Sequence, residues 1–224
     1  GGKIDRDKEG RVEGVWLSRD DRRSLTGFAL TVLKAMTDVR RVTVFQLPTR
    51  SDDWSVLADL PNLESLDVRY AHIGEGGLAW MAKCPRLRHL NIYHVHVGWL
   101  RVLEPLKGLT DLKVSVSGAE SVTAADLPIL PRLPGLTELE LRNARLTDEM
   151  LVPVGRIGGL TSLSLLENPG LTDAGLDHLA PLKALRRLDL GSTGVTAAGA
   201  NRLAATLPEC RIKYSGGEII PNMK

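Results

Sequence analysis

Leu63-x-x-Leu66-x-Val68, followed by Ile73 and then by Leu78, Met81 and Cys84, decides the architecture, because the same frame starts again at Leu87, Leu109, Leu136, Leu160 and Leu185. Traced backwards, more faintly, it reaches Val39 and Val12. Units begin at positions 12, 39, 63, 87, 109, 136, 160, 185 and 210, so their lengths are 27, 24, 24, 22, 27, 24, 25 and 25 residues. A near-constant period in this range means a solenoid, in which each unit buries its apolar side only against its neighbours. The 224 residues could otherwise make one or two globules, but the repeat predicts one continuous stack.

Each unit has two halves with different periods. The first, as in Leu139-Glu-Leu141 or Leu188-Asp-Leu190, alternates apolar and polar residues as a short strand does. The second places apolar residues three apart, as in Leu30/Leu33/Met36, Trp54/Leu57/Leu60, Leu127/Leu130/Leu133, Leu151/Val154/Ile157 and Leu176/Leu179/Leu182, which predicts a short helix with one face inward. Ser51-Asp52, Thr147-Asp148 and Thr172-Asp173 read as helix starts, a hydroxyl cap followed by a carboxylate, and Thr123 and Thr196 keep the cap alone. Pro61-Asn62, Lys107-Gly108, Pro134-Gly135 and Gly158-Gly159 are turn pairs leading to the next strand.

The open ends of such a sheet need covers. At the front, Asp7-Lys8-Glu9-Gly10 predicts a hairpin turn with glycine in the left-handed slot. At the back, Cys210 to Tyr214 begins a ninth strand, and the tail from Ser215 reads as a loose end. The expected division is therefore a capping hairpin strand at 1–11, eight repeats at 12–209, and a terminal strand with its tail at 210–224. Cys84 occupies the slot of Leu60, Leu106 and Leu182, and Cys210 the leading slot, so both are expected as buried thiols too far apart in the stack to pair.

The Leu-x-x-Leu-x-Leu frame, with Leu171-Thr172-Asp173-Ala174-Gly175-Leu176, resembles a leucine-rich repeat of the bacterial "TDAGL" type, related to the cysteine-containing, helix-backed class. Leu207-Pro208-Glu209-Cys210-Arg211-Ile212 looks like the terminal unit of such proteins. The resemblance implies a right-handed α/β solenoid with a curved parallel sheet of about nine strands on the concave side and short helices on the convex side. It also implies a protein-binding module. The asparagine slot of the better-known ladder repeats holds Asn168 once, and elsewhere Ala71, Val95, Ser117, Ala144 and Thr193.

Composition narrows the function classes. The net charge is +2, and the charges are mixed: residues 1–62 carry 11 basic and 10 acidic side chains, residues 107–224 carry 13 of each. No basic block marks a nucleic-acid partner, and no apolar run approaches the roughly 20 residues that span a bilayer. The sequence starts at Gly1 rather than Met, so it reads as a processed or trimmed product, and its N-terminus assigns no compartment. There is no G-x-S-x-G, phosphate-binding glycine loop or paired-histidine helix, so no catalytic residue, cofactor or metal is assigned. Asp148 and Asp173 read as helix-start charges rather than an acid/base pair. The expectation is a non-catalytic, monomeric protein–protein scaffold. The alternatives are a structural spacer in a larger chain, or a substrate adaptor in a signalling or degradation assembly.

Polar strand positions point away from the core and are free to bind. Aligned, the position after the last apolar strand residue reads Ser18, Phe45, Arg69, Tyr93, Ser115, Arg142, Leu166 and Gly191. The next reads Arg19, Gln46, Tyr70, His94, Val116, Asn143, Glu167 and Ser192, and the column two places before the first begins Trp16, Thr43, Asp67 and Asn91. Aromatic and arginine side chains concentrate in the early units although aromatics make up 4% of the chain, and such residues anchor interfaces. Phe45, Arg69, Tyr70, His89, Tyr93 and His94 are the expected centre of a protein-binding patch; the alternative is that the rings only cover the sheet by cross-strand stacking. His72, His89, His94 and His96 fall in two adjacent units, with His72 and His96 equivalent, which raises a metal pair, a pH-sensitive interface, or ordinary polar surface as readings. Ser117-Gly118-Ala119-Glu120 lengthens one unit, either as a lip that touches ligand or as a tolerated insertion.

Overall fold

The computed structural model describes residues 2–18, 33–46, 51–70, 79–93, 99–116 and 122–221. Leu30, Ile73 and Leu78 of the repeat frame, His72, His94 and His96, and the insertion at 117–120 lie outside those residues.

Alternation in the first half of every unit produces the strands β1 (Gly2–Arg6), β2 (Val12–Ser18), β3 (Arg41–Phe45), β4 (Ser65–Arg69), β5 (His89–Tyr93), β6 (Asp111–Ser115), β7 (Glu138–Arg142), β8 (Ser162–Ser164), β9 (Arg187–Leu190), β10 (Arg211–Tyr214) and β11 (Gly217–Ile219). They lie in chain order in one sheet. The nine strands β2 to β10 are parallel, and β1 and β11 close the ends antiparallel. The register joins equivalent residues of successive units, as in Val42–Leu66–Leu90–Leu112–Leu139–Leu163–Leu188–Ile212. This is a leucine-rich-repeat solenoid, with a long parallel sheet on one side and short helical segments on the other.

The leucine frame forms the spine. Leu63, Leu87, Leu109, Leu136, Leu160 and Leu185 are buried, as are the strand leucines beside them. Each such burial stabilises by about 1.5–3 kcal/mol relative to exposure. Cys84 and Cys210 fill two different core slots of the repeat as free thiols, and burial pushes both thiol pKa values up to about 11.

Among the described residues most helical segments are 3₁₀ rather than α: Leu33–Ala35, Ser51–Asp59, Ala79–Lys83, Trp99–Leu103, Leu127–Arg132, Asp148–Met150 and Gly175–Leu179. The spacing explains this. Side chains three apart line up in a 3₁₀ helix of three residues per turn, so Trp54/Leu57/Leu60 and Leu176/Leu179/Leu182 all face the core. The segment Ala197–Thr206, rich in alanine, is α-helical and buries Ala200 and Leu203, with the buried Leu207 as its C-cap.

Both ends carry hairpins. Asp7 and Arg11 pair across the front turn, where Gly10 has φ +82° as the sequence predicted. At the back, the expected loose end is partly ordered. Gly217–Ile219 turns back onto β10, fastened by Arg211 donating to both oxygens of Glu218 at 2.6 and 2.8 Å. The outer flank of β10 presents unpaired main-chain groups, and three residues suffice to cover part of it.

Two polar devices tie successive coils together, one buried and one at the surface. Asn168, fully buried, accepts from the amides of Ala144 and Leu146 and donates to the carbonyls of Leu141, Leu165 and Leu166. The second device gives Asp148, which sits in the first turn of its helical segment as expected, and Asp173 a further role between coils. Asp148 reaches forward one coil and accepts from the amide and hydroxyl of Thr172 at 2.8 and 2.6 Å. Asp173 does the same to Thr196 at 2.8 and 2.6 Å. These hydrogen bonds hold the Asp173 carboxyl below the ordinary value of 3.8. A Cβ on Gly175 would overlap Asp148, and one on Gly199 would overlap Asp173, so glycine leaves room for the carboxylate of the previous coil. Thr123 instead bonds within its own unit, donating from its amide and hydroxyl to Asp126.

Asn168→Ala is expected to destabilise by about 3 kcal/mol or more in urea unfolding, since several buried groups lose their partner at about 1–3 kcal/mol each. Gly199→Ala should destabilise the native sequence and cost much less in an Asp173→Ala background. A double-mutant cycle measures that coupling directly.

Candidate functional site

Alternation that buries Val42 and Val44, Leu66 and Val68, and Leu90 and Ile92 turns the intervening residues outward on β3, β4 and β5. Pairing sets Ser18, Phe45, Arg69, Tyr93, Ser115 and Arg142 side by side in that order, as the sequence columns predicted. Phe45 and Tyr93 are half-buried strand ends, while Arg69 and His89 are exposed.

Four of the expected residues make two ring contacts. Phe45 meets Tyr70 edge to face, with centroids 5.4 Å apart and planes at 76°. The Arg69 guanidinium lies 5.2 Å from the Tyr93 ring centroid. Asp67, two residues earlier on the same face, accepts three hydrogen bonds from Arg69 at 2.7 to 3.1 Å. This carboxylate holds the guanidinium in place, and its hydrogen bonds raise the guanidinium pKa above the ordinary arginine value. A planar cation that stays charged and lies over a ring is a rigid anchor, because little side-chain freedom remains to be lost on binding.

His89 occupies the opposite end of β5, roughly 13 Å from Tyr93 along the strand. It stands between Ser65 and Asp111 rather than among the rings. His94 lies outside the described residues. Trp16 belongs with the exposed aromatics at 46% accessibility, two residues before the strand end that pairs with Phe45. Its signal was the alternation that buries Val15 and Leu17 on either side.

Tyr70 is 53% exposed and has φ +55°. Gln46, Asn143, Glu167 and Ser192 take the same left-handed conformation at the same place in their units. The turn lets the chain leave the strand after one more main-chain bond, from Gln46 to Arg69, Asn143 to Leu166 and Glu167 to Gly191. Asparagine or glycine suits this conformation, and a bulky residue there costs on the order of 1 kcal/mol.

Among the described residues no group of three or more potential ligands could hold a metal ion, and no helix is long and apolar enough to cross a membrane.

No protein-family model and no curated protein sequence matches the chain. Solved structures do match. An internalin (inlF) from Listeria monocytogenes aligns with a TM-score of 0.60 and 23% identity over 82% of this chain and 56% of its own. A leucine-rich repeat protein from Leptospira interrogans aligns at 0.57 and 22% identity over 81% of this chain and 44% of its own. A second listerial internalin (inlC2) aligns at 0.51 and 22% identity, over 75% of this chain and 66% of its own. The chain thus spans about half the length of the first two. These bacterial leucine-rich repeat proteins share its fold, and at such identity the likeness reaches no further than the fold.

Arg69→Ala and Tyr93→Ala, combined in a double-mutant cycle, should show a coupling of about 0.5–1 kcal/mol in unfolding, the size of an exposed cation–ring pair.

Proposed function

We propose that this chain is a non-catalytic, monomeric scaffold that binds a protein partner on the concave face of its sheet, mainly the N-terminal half. The binding residues are Phe45, Arg69, Tyr70, Tyr93 and His89, with His94 beside them in sequence. The observation that carries the reading is the fixed cation over Tyr93, clamped by Asp67 next to an exposed Tyr70. Anchors of this kind, rigid and amphipathic, supply most of the energy in protein interfaces. Tyr70 adds weight, because a large ring kept in a left-handed position is costly for a residue that merely covers a sheet. Leu171 to Leu176 and the clasp of Asp173 on Thr196 support placing the chain in the TDAGL type. The division into a cap at 1–11, repeats at 12–209 and a terminal segment at 210–224 belongs to the same reading.

One observation favours the competing view of a structural spacer. Phe45 and Tyr70 contact each other, so part of their apolar area is already covered.

Tyr70→Ala combined with Tyr93→Ala separates the two in cross-linking pull-downs from the native host. The scaffold reading expects partners to be lost while circular dichroism stays unchanged. Partners retained at unchanged affinity would exclude it.

A further inference from the structure

The same face carries an uneven distribution of charge, and this specifies the partner's chemistry. At the far end of the strands from Tyr93, His89, Asp111 and Glu138 follow one another across β5, β6 and β7. Glu140 is the outward residue two along from Glu138, paired with Lys113. The cations near this group are placed loosely. Lys113 stands 3.6 Å from Asp111 and Arg187 stands 3.7 Å from Glu138, both beyond hydrogen-bond distance. Among the described residues Glu140 has no ion pair within 4 Å. Three other carboxylates on the sheet are closely matched: Asp67 by Arg69 at 2.7 Å, Glu13 by Arg41 at 3.1 Å and Glu218 by Arg211 at 2.6 Å.

Directly opposed carboxylates on neighbouring strands repel. Burial, together with the neighbouring Glu138 charge, raises the Asp111 carboxyl above its ordinary 3.8, although Lys113 and His89 act the other way. The centre of the sheet therefore holds carboxylates that no cation bonds closely, on the same face as the half-buried Phe45 and Tyr93 and the exposed Tyr70. That pairing of features fits one kind of occupant.

The geometry points to a partner segment with an apolar side chain over Phe45, Tyr70 and Tyr93 and a lysine or arginine over Asp111, Glu138 and Glu140. This rests on the scaffold reading above and adds the identity of the complementary charge. Asp111 lies one strand across from Tyr93 and four residues back along the strand direction, a separation of roughly 14 Å. An extended segment covers that distance in about four residues, so the apolar and basic positions should be about four apart. A cation entering there would complete the charge-assisted hydrogen bonds that Lys113 and Arg187 leave unmade.

The test is selection of displayed random short peptides on the immobilised full chain, followed by counter-selection on the Tyr70→Ala, Tyr93→Ala variant. Peptides that need the aromatic row should be enriched in lysine or arginine about four residues from an apolar side chain. Their affinity should fall roughly tenfold on Asp111→Asn with Glu138→Gln, as expected for a partly desolvated charge pair. These two variants remove repulsion, so urea unfolding should show a fold at least as stable as the native one. Aromatic-dependent peptides with no basic preference, or with affinity unmoved by the two neutral variants, would overturn the inference and leave the scaffold reading standing. If no selected peptide depends on Tyr70 and Tyr93, the scaffold reading itself is overturned.

Discussion

Every coil is held by main-chain bonds to the next, and the pattern at the strand entrances shows how strict the arrangement is. The carbonyl of Arg40 receives the amides of Glu64 and Ser65, that of Glu64 receives Arg88 and His89, and that of Arg88 receives Thr110 and Asp111. The series continues through Thr110, Thr137 and Thr161 to Arg186 and Arg187. A slip of one residue in any coil would break these bonds and turn the leucine spine outward, because side-chain direction alternates along a strand. Register therefore governs the core and the open face together. The leucines must all be inside for Phe45, Arg69 and Tyr93 to stand in a row.

Much of this was legible in the chain. The Leu-x-x-Leu-x-Leu frame located the strands and their pairing, since a repeated unit can only stack like upon like. It also placed the aromatic row, because alternation around Val44, Val68 and Ile92 leaves one outcome for their neighbours. Other features depend on atoms brought together by stacking and have no local signature. Asp148 and Thr172 are 24 residues apart, and within its own unit Asp148 looks like a helix-start charge. The choice of 3₁₀ over α helix was hidden because apolar residues three apart satisfy both over a single turn. β11 has no repeat character at all, yet Glu218 brings it back to Arg211.

The candidate patch divides in the same way. Which residues face outward followed from period two. Their mutual arrangement did not, because the position of Arg69 over Tyr93 depends on Asp67 selecting one side-chain conformation among many. His89 was expected in one patch with the rings. In space it heads a separate, acidic end of the face beside Asp111.

The clasp between an aspartate and the threonine of the following coil carries a consequence for how such a chain can lengthen. Asp148 grips Thr172 in the way Asp173 grips Thr196, with Gly175 and Gly199 making the same room. A tandem duplication of the stretch between the two aspartates would present an identical junction on both sides, and it would carry a second copy of Asn168 with it. The middle of the solenoid offers no such interchange, since Thr123 is tied to Asp126 in its own coil. Among the described junctions, growth by whole units is therefore best accommodated toward the C-terminal end, far from the aromatic row.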